Sequence, residues 1–264
     1  MTEEQAIFQR SVRVFLEKEA APLVAVAEDT RKFPVTFMRR LGELGYLCMR
    51  YGDDVGGAGA DHVIECMLHE ELARVCASFS AAALAHTAGS NAIYHFGSQA
   101  QREKYVVPAV RGEKIGAFSI TEPNAGSDLA ALQCRAIRDG DEYVVNGQKV
   151  WTTSAHHAHW GLLLARTDWD QTKHKGLSYF ILDMHQPGVK VQPLKQMNGH
   201  ASFNQVFMTD AEVQPEFLVA NVGDGWAVTT TTLMHERRGA DGLRTWAMGS
   251  DRKGRIYEIG RAHV

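Results

Sequence analysis

Cysteine is scarce in this sequence and scattered: Cys48, Cys66, Cys76 and Cys134 form no C-x-x-C pair. Such spacing argues against a metal site or a disulfide frame and predicts reduced, mostly packed thiols of the kind a cytoplasmic protein keeps. Long apolar runs are missing as well, and the longest, WGLLLA, is far too short to span a bilayer. The opening MTEEQAIFQR is polar and acidic, unlike a signal peptide. No run of lysine or arginine is long enough for a nucleic-acid footprint, since 28 basic and 31 acidic side chains are spread over the chain and leave a net charge of −3. What remains is an ordinary globular composition, 45% hydrophobic and 22% charged over 264 residues. That is enough for one large core or two modest ones.

The first third reads as helical. Thr2 and Gln5 make a capping box, and Phe8, Val12, Phe15 and Leu16 then share one face at helical spacing. A second helix is predicted over FPVTFMRRLGELGY, with Pro34 in its first turn and Gly45 near its end. YGDDVGGAGA is a glycine-rich loop; its G-x-G follows no strand and lacks the rest of a dinucleotide fingerprint. Val63, Ile64, Met67, Leu68 and Leu72 recur at three and four, so DHVIECMLHEELARV is amphipathic. SFSAAALAHTAGSNAIYHFG is apolar almost all round and predicts a helix buried between others. SQAQREKYVVPAVRGE is one more helix, capped by Ser98 and bent or ended by Pro108.

Near Lys114 the pattern changes to short β-rich runs, which continue to about Val213. EYVVNGQKVW predicts a hairpin turning at Asn146-Gly147, and WGLLLART, LSYFILDM and FNQVFMTD predict further strands. No helix-length pattern separates them, which favours an antiparallel barrel or sandwich over a parallel sheet. Helical spacing returns after VGDGW. The expected fold class is therefore α+β and multidomain. An all-helical N-terminal domain covers residues 1–114 and an antiparallel, β-barrel-like middle domain covers 115–222. The start of a C-terminal helical domain covers 223–258. The closing IGRAHV, 259–264, resembles one frame of a sequencing-library adapter, so it is expected to be non-native and the chain to be cut short.

His156, His157 and His159 cluster, yet no carboxylate or cysteine stands beside them at ligand spacing, which favours a histidine loop over a metal site. The strong signal is a pair of segments, AFSITEPNAGSD at 117–128 and NGQKVWTTSA at 146–155. Together they closely resemble the flavin-binding middle domain of the acyl-CoA dehydrogenase family. The resemblance runs from Met1 to about Trp246, with YGDDVGGAGAD, QREKYVVPAVRGE and NVGDGWAV in family order and spacing.

The resemblance implies FAD as cofactor. Phe118, Ile120 and Thr121 match positions lining the flavin, and Gly126 and Ser127 match the turn approaching its diphosphate. Trp151, Thr152 and Thr153 match the second flavin segment. Physically, an indole packs against a flat aromatic ring, and a threonine offers a backbone N–H and a hydroxyl to its edge. Taken singly, Trp151 also reads as a core aromatic and Gly126 as a turn glycine. Ser127, Met234, His235, Glu236 and Arg237 match positions that meet acyl-CoA, although Met234 replaces an aspartate common in the family.

The implied reaction oxidises an acyl-CoA to the trans-2-enoyl-CoA, a carboxylate removing the Cα proton while hydride leaves Cβ for the flavin. In branches resembling isovaleryl- and long-chain acyl-CoA dehydrogenases, the base precedes an arginine as Glu236 precedes Arg237. A helix-surface carboxylate paired with Arg237 or Arg238 is an equal reading, and other branches carry the base further along the chain. Glu122, the other carboxylate near the motifs, is expected to hold the loop. The resemblance further implies an electron-transferring flavoprotein as electron acceptor and a homo-oligomer, a tetramer or dimer. An oxygen-using acyl-CoA oxidase and a non-catalytic subunit are the alternatives. Alone, the chain as given is expected to be inactive.

Overall fold

Thr2 opens the first helix as a reciprocal cap: its hydroxyl accepts from Gln5 N at 3.2 Å, and the Gln5 side chain accepts from Thr2 N at 2.9 Å. The computed structural model describes residues 1–236, so Arg237 and the 259–264 tail lie outside the described residues. Helix α1 is Glu3–Phe15, and a wide π turn, Leu16–Ala20, carries it into α2, Ala21–Thr30. No residue of α2 is fully buried, so its apolar spacing does not announce it. Helix α3 is Val35–Glu43, with Pro34 just before its first turn. Helix α4, His62–Val75, is capped by Asp61, and α5, Ala77–Phe96, crosses the middle of the domain.

Ser98 and Gln101 form a second capping box at α6, Gln99–Gln101. There a π turn, Arg102–Val106, leads into α7, Val107–Val110. Pro108 sits just past that wide turn and the helix ends two residues after it; a proline has no N–H to give to a regular ladder.

Among the described residues eight strands follow: β1 Gly116–Ser119, β2 Arg135–Asp139, β3 Glu142–Thr153, β4 Trp160–Arg166, β5 Leu177–Asp183, β6 Val189–Leu194, β7 Phe203–Val213 and β8 Leu218–Val219. Within the described residues, a further helix, α8, runs from 225 to 236. The Asn146-Gly147 hairpin does not form. β3 runs straight through it, and the turn lies earlier, where Asp139 pairs with Glu142 across Gly140 at φ +57°. Both arms of β3 pair with the same strand, β7, through bulges on either side. Asn146 is used across the sheet, giving 2.9 Å to the Asp210 carboxylate and accepting from Asp210 N at 3.0 Å. Gly147 is needed for closeness, because a Cβ there would meet the backbone of Cys134.

The sheet is also mixed where the sequence pattern favours antiparallel pairing throughout. β1 runs parallel to β4, from Gly116 opposite Trp160 to Ser119 opposite Leu163, and Arg135 pairs in parallel with Arg166. The crossover that parallel pairing demands is made by the β2–β3 hairpin, so no helical spacing betrays it.

The strand path is β6-β7-β3-β2-β4-β5-β8, with β1 beside β4. Among the described residues, only the Arg135–Arg166 ladder pair joins its halves. The half containing β4 and β5 is buried on both faces. Leu162, Leu164, Tyr179 and Ile181 pack with Ala92, Ile93 and Val106 of the helices. Leu163, Ala165, Phe180 and Leu182 face Tyr143, Val145 and Met208 of the other half. Burial on both faces explains why WGLLLAR and LSYFILD are nearly unbroken apolar runs.

Two contacts fix what the site is built on. Gly89 of α5 meets Gly116 of β1 so closely that a Cβ on Gly89 would collide with the Gly116 backbone. Glu122, just past β1, accepts from the backbone N–H of Gln133 at 2.7 Å and of Cys134 at 2.9 Å, and pairs with Lys149 at 2.8 Å. Lys149 Nζ also donates to Ile120 O at 3.1 Å. The lysine side chain is fully buried and the glutamate nearly so.

Two outcomes follow from these contacts. Gly89→Ala forces α5 off β1 and costs about 1–3 kcal/mol of stability, read as a lowered denaturant midpoint; an unchanged midpoint contradicts the close approach. Lys149→Met strands the Glu122 carboxylate and costs about 3–5 kcal/mol, much of which Glu122→Gln in the same chain restores. A Lys149→Met protein as stable as its parent contradicts the pairing.

Candidate active site

The two segments singled out in the sequence lie side by side. Val150 N donates to Thr121 O at 2.9 Å, Ser119 Oγ stands 3.3 Å from Thr152 Oγ1, and Lys149 ties Ile120 to Glu122. Glu122 thus holds the loop from beneath. This stitching sends some side chains inward. Ile120 is buried, and Thr152 is wholly so, with its carbonyl accepting from Asn204 Nδ2 at 3.0 Å. Thr121 is half-buried.

Trp151 goes the other way. The β3–β7 register slips between Lys149 and Thr152, and Trp151 takes φ +60°, a left-handed conformation rare for a bulky residue. Its indole is turned out of the sheet, 58% exposed, with Phe203 edge-on at 5.8 Å. Thr153 beside it is exposed, and Ser154 follows at φ +54°. At the far end of the first segment, Gly126 and Ser127 are exposed. Among the described residues no acceptor is paired with the backbone N–H of either, and the space over Gly126 is open.

Between α5, β1, the end of β3 and α8 lies a cavity of about 700 Å³. Phe118, Thr153, His235 and Glu236 all line it. Met234 does not; it is 49% exposed on α8. Ile120, Thr121, Gly126, Ser127, Trp151 and Thr152 lie outside its lining, and Arg237 lies outside the described residues. His95 of α5 stacks on His235 with ring centroids 4.4 Å apart.

The cavity wall holds groups that periodicity passes over. Arg50, Tyr51, Glu65, Asn91 and Tyr94 all line it. Glu65 is buried, with its carboxylate 3.7 Å from the Arg50 guanidinium and 3.6 Å from His62. Burial pushes the Glu65 carboxyl up, against the pull of Arg50. Tyr51 and Tyr94 stack at 4.0 Å. The only sequence signal for this wall is the polar interruption of the apolar α5. Of the histidine loop, His157 lines the cavity, while two neighbours serve the scaffold: His159 Nδ1 accepts from Ile115 N at 3.1 Å, and His156 Nδ1 stands 3.1 Å from Asn204 Oδ1. Among the described residues, no helix is long and apolar enough to cross a membrane.

Comparison with known proteins identifies the family. The acyl-CoA dehydrogenase N-terminal domain family matches residues 2–113, and the acyl-CoA dehydrogenase middle domain family matches residues 117–211. The short-chain specific acyl-CoA dehydrogenase of Clostridium acetobutylicum is 34% identical over 237 residues, 88% of this chain and 62% of that protein. The acyl-CoA dehydrogenase of Geobacillus kaustophilus superposes with a TM-score of 0.84 at 32% identity, over 92% of this chain and 65% of that one. The acyl-CoA dehydrogenase of Bacillus anthracis, solved in complex with FAD, superposes at 0.82 with 27% identity, over 92% of this chain and 42% of that one. The chain therefore spans less than two thirds of the length of these relatives. With both family domains matched in order, across the helices and the sheet that build the site, the chain belongs to the acyl-CoA dehydrogenase family.

Proposed function

We propose that the protein oxidises an acyl-CoA thioester to its trans-2-enoyl-CoA, using FAD held by the two stitched segments and Glu236 as base. The observation that carries this reading is the outward-turned Trp151. A bulky residue held at φ +60° costs about 1–3 kcal/mol, and such strain is kept where the displaced side chain has work to do. The residues present fit FAD. An exposed indole beside an exposed threonine suits a flat aromatic ring with hydrogen-bonding edges. The open N–H groups at Gly126 and Ser127 suit phosphate oxygens. Bound there, FAD supplies the hydride acceptor.

The chain's own residues do the rest. Phe118 and the apolar start of α5 exclude water from the acyl group, which strengthens every electrostatic contact around it. Glu236 reaches the same cavity as Thr153, so a carboxylate and the ring-edge position share one space. In this reading Glu236 takes the proton from Cα, made acidic by the thioester carbonyl. Ser127, exposed at the end of the first segment, is assigned to the CoA portion on family grounds. An electron-transferring flavoprotein as acceptor and a homo-oligomeric assembly belong to the same proposal, on family grounds.

Glu236→Gln keeps acyl-CoA binding and lowers kcat by about a hundred- to ten-thousand-fold, followed as anaerobic bleaching of the flavin by acyl-CoA. Wild-type turnover in that variant removes Glu236 as base. Trp151→Ala weakens FAD binding by about five- to tenfold in a flavin fluorescence titration, as loss of an aromatic contact demands. An unchanged dissociation constant contradicts the role given to the indole.

A further inference from the structure

Helix α5 shows the cavity two different surfaces. Toward its start, Phe79, Ala82 and Ala85 continue an apolar wall shared with Phe33 and Met38. Further along, Thr87, Asn91 and Tyr94 follow one another on a single face. The Thr87 hydroxyl donates to Ala83 O at 3.1 Å, and the Tyr94 hydroxyl accepts from Gly52 N at 3.0 Å. Asn91 is only 6% exposed, lines the cavity, and has no side-chain hydrogen bond among the described residues. Neither amide atom is sealed off from the cavity, so the polar partner each needs comes from the space it faces. The Arg50–Glu65 pair belongs to the same wall.

From this arrangement we infer that the cavity is built for an acyl group carrying a neutral oxygen function, a hydroxyl or keto group beyond the β-carbon, hydrogen-bonded by Asn91 with Arg50 and Glu65 alongside. The inference rests on the acyl-CoA reading above and names its substrate class. An amide both donates and accepts, so it serves a hydroxyl in either sense and a keto oxygen through its NH₂. A plain alkyl chain in the same space would seal Asn91 away unpaired, and sites built around a polar group discriminate strongly against analogues that lack its partner. An anionic tail fits less well. Arg31, Lys32 and Arg50 on the lining are matched by Glu28, Glu65 and Glu236, so the cavity offers no surplus positive charge.

The test measures dissociation constants by calorimetry on the intact, FAD-charged protein. Its ligands are octanoyl-CoA, isomers of it bearing one hydroxyl or keto group beyond the β-carbon, and the dicarboxylic thioester of equal length. At least one oxygenated isomer is expected to bind about tenfold or more tightly than octanoyl-CoA, and Asn91→Leu to abolish or invert that preference. The kcat/KM ratios should move with it. Octanoyl-CoA binding as tightly as every oxygenated isomer overturns the inference, and that comparison stands even where Asn91→Leu does not fold. Arg50→Met serves as a second variant, expected to reduce the same preference; a preference untouched by either variant also overturns the inference. Tightest binding by the dicarboxylic thioester overturns the neutral assignment. Binding of no acyl-CoA at all strikes the acyl-CoA reading itself.

Discussion

A fully buried lysine facing a nearly buried glutamate holds this site together. Glu122 accepts two backbone N–H groups from the Gln133–Cys134 segment and pairs with Lys149, which reaches back to the carbonyl of Ile120. Removing two charges from water is expensive, and their attraction offsets that cost only when the remaining hydrogen bonds are made. Here they are made, and between them they join three stretches of chain. The loop after β1, the approach to β2 and the middle of β3 are thereby fixed to one another. The outward turn of Trp151 begins two residues after Lys149, so the bulge has a firm foot.

Legibility in the sequence followed the range of the forces involved. Caps at Thr2 and Ser98 act within a few residues, and the helices they start were readable from them, while α4 was readable from its apolar spacing and its Asp61 cap was not. Helix α2 escaped notice because none of its residues is fully buried, so no apolar stripe marks it. Asn146-Gly147 has the residues of a tight turn, yet pairing of the whole of β3 with β7 outweighed that local preference. The parallel β1–β4 pairing was hidden because a hairpin, rather than a helix, makes the crossover. Motif residues brought out as neighbours in sequence proved to divide in space, with Thr152 inside and Trp151 and Thr153 outside. Arg50, Glu65 and Asn91 come from a loop and two helices, and nothing in linear spacing brings them to one wall.

That wall makes the cavity amphiphilic. Apolar side chains at the start of α5 suit a hydrocarbon, while the amide and charged groups further along require hydrogen-bonding company. His95 stacked on His235 connects this polar side to the helix that carries Glu236. Recognition and chemistry in the proposed reaction therefore share α5 and α8, and a change in how these helices approach each other alters both.

The two family domains meet between residues 113 and 117, a natural seam in sequence. Thermodynamically the seam runs elsewhere. Leu162, Leu164, Tyr179 and Ile181 belong to the second domain by sequence, but the surface that keeps them dry is supplied by α5 and the helical turns before α7 in the first. Parting the chain at its sequence boundary would wet an unbroken aliphatic and aromatic face of β4 and β5, the type of surface that drives strands to aggregate. Each segment keeps a core of its own, yet this third core belongs to both, each half acting as the other's solvent.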